Sequence, residues 1–352
     1  MNTLILTARF GMGHISAAKA IEEELKLKNN NSNVYIVDVV DYLFPSWANL
    51  IYSGFNHLTS KFSTVYNFFN KTAGNYNETI PLKKALVKKL DRLIEEYNAD
   101  VIISTIPIAS KYISLYKETK NINIPLYTYI TDISAHNEWL GKGTNLYFVG
   151  SKETKIELIG KGVEEEKILI SGIPVKQSFK NLKIIKGKKQ KELLIMGGGL
   201  GLIPGIEDIL KTFNENDSIN VTLICGKNKE MFNKMKEKFP NINVVGFTND
   251  VHKYMNKADL IITKSGGITT FEAIHALCPL YIIHPFLMQE VGNALYIEKN
   301  NIGMIKWKKK ENISKDVIEL INDEKRLNQM KENMRRIKNE TQNDYLETII
   351  SA

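Results

Sequence analysis

The sequence predicts an α/β protein of two domains, each a parallel sheet covered on both faces by helices. Three observations carry that reading. Short β-branched runs alternate with amphipathic helical stretches almost throughout, the rhythm occurs twice with about five strands each time, and a lysine-rich seam separates the two sets. A length of 352 residues agrees with two domains of ordinary size.

In the first set, residues 3–8, 34–40, 101–104, 126–130 and 146–149 read as buried strands, with helical stretches over 15–28, 83–97 and 152–161. The second set places strands at 193–196, 221–225, 243–245, 260–263 and 280–283, with helices over 206–213 and 229–238. Gly172, Ile173 and Pro174 end the first set, and residues 180–191 carry six lysines and no acid, a composition expected of a solvated linker. The domains are therefore expected at 1–172 and 192–334, joined by 173–191. The tail from Ile313 has helical periodicity and no strand, and a helix over about 335–352 is expected to pack back on the first domain.

Composition narrows the class. At 43% hydrophobic and 24% charged, with nine prolines, the chain is globular rather than disordered or fibrous. Two cysteines, Cys225 and Cys278, exclude a disulfide scaffold and a four-cysteine zinc site, and fit a reducing compartment. No apolar stretch approaches the ~18–20 residues needed to span a bilayer, and the N-terminus reads as a first strand rather than a signal segment, so a cytoplasmic protein is expected. The net charge of +8 suits an anionic partner, or simply a lysine-rich surface.

Residues 42–77 break the pattern. They hold ten aromatics, among them Trp47, Phe55, Phe62 and Phe69, with no Asp or Glu. Directly after them comes a basic amphipathic stretch with Lys83, Lys84, Lys88, Lys89 and Arg92. Aromatics beside lysines without acids suit the interface of an anionic membrane. The competing reading packs the aromatics on the first domain.

Chemistry concentrates where strands deliver the chain into helices. Gly11-Met12-Gly13-His14 follows the first strand and opens a helix, where glycine lets backbone amides approach a ligand and the helix N-terminus favours negative charge. The full dinucleotide fingerprint is missing. Gly197-Gly198-Gly199-Leu200-Gly201 repeats the arrangement in the second half. The run 263–272 contains Ser265, Gly266, Gly267, Thr269, Thr270 and Glu272. Its amides and hydroxyls suit an anion, and Glu272 suits the two hydroxyls of a ribose. Gln289, Glu290 and Asn293 suit the hydroxyls of a neutral sugar.

These elements together resemble a GT-B glycosyltransferase, of the branch containing monogalactosyldiacylglycerol synthases and bacterial processive diacylglycerol glucosyltransferases. The resemblance rests on Gly11 to His14, Thr131-Asp132 with His136 and Trp139, Gly172 to Pro174, Gly197 to Gly201, Thr263 to Glu272, and Gln289-Glu290 with Asn293. Met12 and Met288 stand where the branch often has glycine.

The resemblance implies two Rossmann-like domains facing across a cleft, with an inverting, metal-independent transfer of a hexose from UDP-glucose or UDP-galactose to diacylglycerol or a glycosyl-diacylglycerol; the alternatives are transfer to another lipid-linked acceptor, such as one like lipid I, and a UDP-sugar epimerase of the same fold. His14 is the expected general base, with Asp132 as the second candidate or as its orienter. Gly199, Gly201, Phe247, Ser265, Gly266, Gly267, Thr269, Thr270, Glu272, Gln289, Glu290 and Asn293 are expected at the donor. Gly13, Trp47, Phe55, Phe62, Phe69, Lys83, Lys84, Lys88, His136 and Trp139 are expected at the acceptor and membrane. No Asp-x-Asp spacing occurs, and neither a metal cofactor nor a nucleic-acid partner is expected. The implied location is the inner face of the plasma membrane, as a peripheral protein.

Overall fold

The structure, a computed structural model, describes residues 1–29, 32–61, 83–183, 190–201, 203–308, 312–341, 345 and 349. The chain forms two compact units. One comprises Met1–Gln177 with Leu287–Gln289 and Thr341–Ala352, the other Ser178–Phe286 with Glu290–Glu340. Of the expected linker, 184–189 lie outside the described residues, as do 342–344, 346–348 and 350–352 of the expected terminal helix.

The first unit is built on β1 (Asn2–Thr7), β2 (Asn33–Asp38), β3 (Val101–Ser104), β4 (Leu126–Tyr129), β5 (Leu146–Val149) and β6 (Ile168–Ile170). All pairs are parallel, in the order β2-β1-β3-β4-β5-β6. Strand side chains alternate between faces. Leu4, Leu6, Ile102 and Leu126 pack with Leu86, Leu90 and Leu93 of the helix Lys83–Glu96, and with Ile113 of the helix Pro107–Lys120. Ile5, Val101, Ile103 and Tyr127 pack on the other face with Ile21 and Leu25 of the helix Met12–Lys28. Each such aliphatic side chain contributes about 1.5–3 kcal/mol on burial, so both faces must be covered. Tyr345 and Ile349 close this second layer, with Tyr345 edge-on to Phe148.

The second unit repeats the plan with β7 (Lys191–Met196), β8 (Ile219–Ile224), β9 (Asn243–Val245), β10 (Leu260–Thr263), β11 (Leu280–Ile283) and β12 (Gly303–Lys306), in the order β12-β11-β10-β7-β8-β9. The helices Ile313–Asn322 and Glu324–Glu340 complete it.

Ten strands are expected from the sequence and twelve are found among the described residues; β6 and β12 are additional, each at a sheet edge. The run expected over 34–40 stops at Asp38. The Asp38 carboxylate accepts the amides of Val40 and Asp41, turning Val39–Leu43 into a short helix. In both sheets the strand order reverses beside the first strand, between β1 and β3 and between β7 and β10. Loops leaving the carboxyl ends of strands at such a point form the natural ligand crevice. Among the described residues no helix is long and apolar enough to cross a membrane.

Candidate functional site

In the first unit, the crevice between β1 and β3 is occupied by His14. Gly11, with φ of 101°, turns the chain out of β1 into the helix Met12–Lys28, a conformation that favours glycine. No side chain caps that helix start. His14 lies in its first turn, with Nδ1 3.0 Å from the carbonyl oxygen of Thr105, just beyond β3. The Thr131 hydroxyl, just beyond β4, stands 2.9 Å from the same nitrogen. The Thr105 hydroxyl in turn donates to the His14 carbonyl at 3.2 Å. A carbonyl oxygen only accepts, so Nδ1 carries the hydrogen and the neutral ring keeps its lone pair on Nε2. Burial pushes the imidazole below its ordinary pKa, against the opposing pull of the Asp132 charge and the Thr105 carbonyl.

Asp132 follows Thr131. Burial alone would raise its carboxyl, but the hydrogen bond from His136, the electrostatic influence of the His136 and His14 rings and a contribution from Trp139 hold it below the usual range. His136 Nε2 lies 3.5 Å from Asp132 Oδ2. The outcome is an ionised carboxylate beside a neutral imidazole with a free basic nitrogen. Such a pair can take a proton and stabilise the cation that forms.

In the second unit, the glycine loop leaves β7 at the β7–β10 reversal. Gly201, with φ of 65°, packs so closely on the end of β8 that a Cβ would penetrate the Cys225 carbonyl. A Cβ on Gly226 would lie 2.5 Å from the Gly199 oxygen, which accepts the Lys227 amide at 3.0 Å. Close backbone packing therefore accounts for Gly201 and Gly226, while Gly198, with φ of 69°, has open space around it.

Beyond β10, Gly266 opens the helix Gly267–Ala276. The Ser265 hydroxyl donates to the Glu290 carbonyl at 2.7 Å, and Asn293 Nδ2 donates to the Ser265 carbonyl at 2.8 Å. Both side chains are buried, and they clip the start of that helix to the helix Met288–Lys299. The Thr270 hydroxyl, also buried, donates to the Gly266 carbonyl. Lys264 lies over the Phe286 ring and Lys227 over the exposed Phe247 ring, each with Nζ 5.9 Å from the centroid.

Residues 14–175 match the family model described as monogalactosyldiacylglycerol (MGDG) synthase, and residues 192–349 match that of the glycosyltransferase family 28 C-terminal domain. The processive diacylglycerol beta-glucosyltransferase of Bacillus licheniformis is 28% identical, over 95% of this chain and 90% of its own. That of Staphylococcus epidermidis is 29% identical, over 94% and 87%. Along nearly its whole length the chain is similar to glycosyltransferases of that branch, and its fold is GT-B. The fold is shared with MurG of Acinetobacter baumannii (TM-score 0.62, 14% identity, 96% and 95% of the two chains). It is shared equally with the UDP-GlcNAc 2-epimerase of Neisseria meningitidis (TM-score 0.62, 16% identity, all of both chains).

The expected residues divide by place. His14, Asp132 and His136 come together in the first unit, with Gly13 beside His14. Trp139, expected at the acceptor surface, is fully buried among Ile130, Leu140, Tyr147 and Leu158, so it is a core residue behind His14 and Asp132. Trp47 is 63% exposed, and Lys83, Lys84 and Lys88 lie on the outer face of their helix. Phe62 and Phe69 lie outside the described residues, as does the side chain of Phe55. In the second unit Gly199, Gly201, Ser265, Gly266, Gly267, Thr269, Thr270 and Glu272 gather at the strand reversal. Glu290 and Asn293 are joined to them through Ser265, Gln289 groups with the first unit, and Glu290 Oε2 accepts the Phe286 amide at 3.3 Å. Among the described residues no cluster of His, Cys, Asp and Glu is placed to hold a metal ion. Sequence reading did not single out Thr105; the signal was its position immediately after a strand next to β1.

Proposed function

We propose that this glycosyltransferase moves a hexose from UDP-glucose or UDP-galactose to diacylglycerol, or to a glycosyl-diacylglycerol, at an anionic membrane surface. The names of the relatives support the lipid acceptor. The observation that carries the chemistry is the His14 ring, pinned through Nδ1 so that Nε2 is the basic atom.

In this reading Nε2 takes the proton of the acceptor hydroxyl, and the Asp132 carboxylate stabilises the resulting imidazolium. The acceptor oxygen bonds to the anomeric carbon as the bond to UDP breaks on the opposite face. A single displacement of this kind turns an α-linked donor into a β-glycoside. Charge on the departing diphosphate is met by the N-terminus of the helix Gly267–Ala276 and by amides of the glycine loop, without a metal. Glu272 takes the ribose, and Gln289 and Glu290 the sugar hydroxyls. The protein works from the cytoplasmic side as a peripheral enzyme.

The test is incubation with a panel of UDP-sugars and diacylglycerol in anionic vesicles containing EDTA, followed by lipid analysis. A β-glycosyl-diacylglycerol is expected. Donor converted to another sugar nucleotide with no glycolipid would replace this reading with an epimerase; strict dependence on a divalent ion would remove the metal-free scheme.

A further inference from the structure

The loop that carries His14 is held from outside the catalytic pair. Arg9, directly after β1, donates its backbone amide to the Tyr52 phenol oxygen at 3.1 Å. The Tyr52 hydroxyl donates to Asp38 at 2.6 Å, and the Arg9 guanidinium lies 4.7 Å from the Tyr52 ring centroid. The same guanidinium pairs with Asp41 at 2.5 Å and Asp38 at 3.3 Å, and Phe10 packs against the Tyr52 ring at 5.0 Å. Arg9 and Phe10, the two residues before the glycine turn, therefore both meet Tyr52 or its partners. Burial, then the Asp38 hydrogen bond, keep the phenol protonated far above neutral pH.

Tyr52 belongs to the helix Ala48–Lys61. Its buried side faces the His14 loop, while Trp47 and Leu50, one turn apart, are each 63% exposed. Lys89, from the basic helix Lys83–Glu96, donates to the Leu43 carbonyl and lies 5.9 Å from the Phe44 ring centroid, so positive charge borders the turn that leads to Trp47. The helix Ala48–Lys61 and the turn before it thus present Leu50 and Trp47 outward and a hydrogen-bonded phenol inward to the His14 loop.

We infer that Tyr52 is a positioning residue that ties the His14 loop to the Trp47–Leu50 face, so that seating this face in a lipid surface fixes the general base. The inference rests on the function proposed above. Misplacing a reacting group by about 1 Å costs on the order of 10²-fold in rate, so a loop held from one side only has room to lose activity.

The experiment compares transfer to diacylglycerol in phosphatidylglycerol vesicles with transfer to a dispersed short-chain diacylglycerol. The wild type is expected to work faster on vesicles. Tyr52→Phe keeps the ring packing and removes the hydroxyl. It should lose about tenfold in kcat on vesicles, with unchanged vesicle co-sedimentation and unchanged KM for the UDP-sugar, and change little on the dispersed acceptor. Asp38→Asn, which keeps one acceptor oxygen, should fall between the two. Trp47→Ala should lose vesicle binding and the vesicle advantage together. Equal loss on both acceptors, or none on either, overturns the inference, as does a wild type equally fast on both. A wild type that makes no glycolipid from either form overturns the functional reading itself.

Discussion

At His14, burial and charge pull in opposite directions, and burial wins. The imidazole is therefore neutral, and a competent base, to below its ordinary pKa of about 6.5. Activity limited by this group should hold at neutral pH and fall only as pH drops through that lowered value. Asp132→Asn removes the charge that holds the imidazole pKa up. The acid limb of kcat/KM should then move to still lower pH while the plateau falls, which a pH–rate profile of the two proteins measures. His14→Ala should lower turnover by roughly 10²–10⁴-fold, the usual contribution of a positioned acid–base group. Its UDP affinity by calorimetry should be unchanged; near-normal turnover would move the role to Asp132. The sequence made His14 and Asp132 legible because each follows a strand end within a recognisable run. Thr105 was not legible in the same way, because its hold on the ring exists only where β3 lies next to β1, a pairing that alternation alone does not reveal.

Elements in the second unit are held by backbone as much as by side chains. Gly201→Ala would place a methyl group inside the Cys225 carbonyl at a backbone angle that costs a non-glycine residue about 1–2 kcal/mol even in open space. A large drop in thermal midpoint is expected, whereas Gly198→Ala, with space around it, should show the angular cost alone. Asn293→Ala would remove the donor to a buried carbonyl, a loss of about 1–3 kcal/mol. Because that bond ties the segment before the helix Gly267–Ala276 to the helix Met288–Lys299, both proposed to hold the donor, the KM for UDP-sugar should rise well before kcat changes, as steady-state kinetics would report. Ten of twelve strands were legible as β-branched runs. β6 escaped because its three residues sit between a charged run and Ser171-Gly172, and β12 because it opens on glycine and ends on Lys306. That lysine is buried only because Asp316 pairs with it at 2.7 Å. Two such edge strands carry too little apolar pattern to register before their partners are known.

For the molecule as a whole, the outward faces of Lys83, Lys84, Lys88, Lys89 and Arg92 set the expected membrane behaviour. Each basic residue near an anionic surface is worth about 1 kcal/mol. Neutralising three should therefore weaken partitioning to phosphatidylglycerol vesicles by about two orders of magnitude, with little effect on neutral vesicles. Co-sedimentation at low and high salt checks this, and equal binding to both vesicle types would reject the surface reading. The doubly wound plan was legible from alternation alone. Which aromatics of 42–77 face inward was not, since Tyr52 is buried and Trp47 exposed although five residues apart in one aromatic-rich segment. The packing of Ile349 into the second layer of the first unit has a consequence for synthesis. The ribosome makes every strand of the second unit before it makes that core residue of the first. The second unit can thus close as a nearly continuous stretch of nascent chain. The first, though begun earlier, waits with part of its core incomplete until Tyr345 and Ile349 emerge, reversing the usual N-to-C order of domain completion.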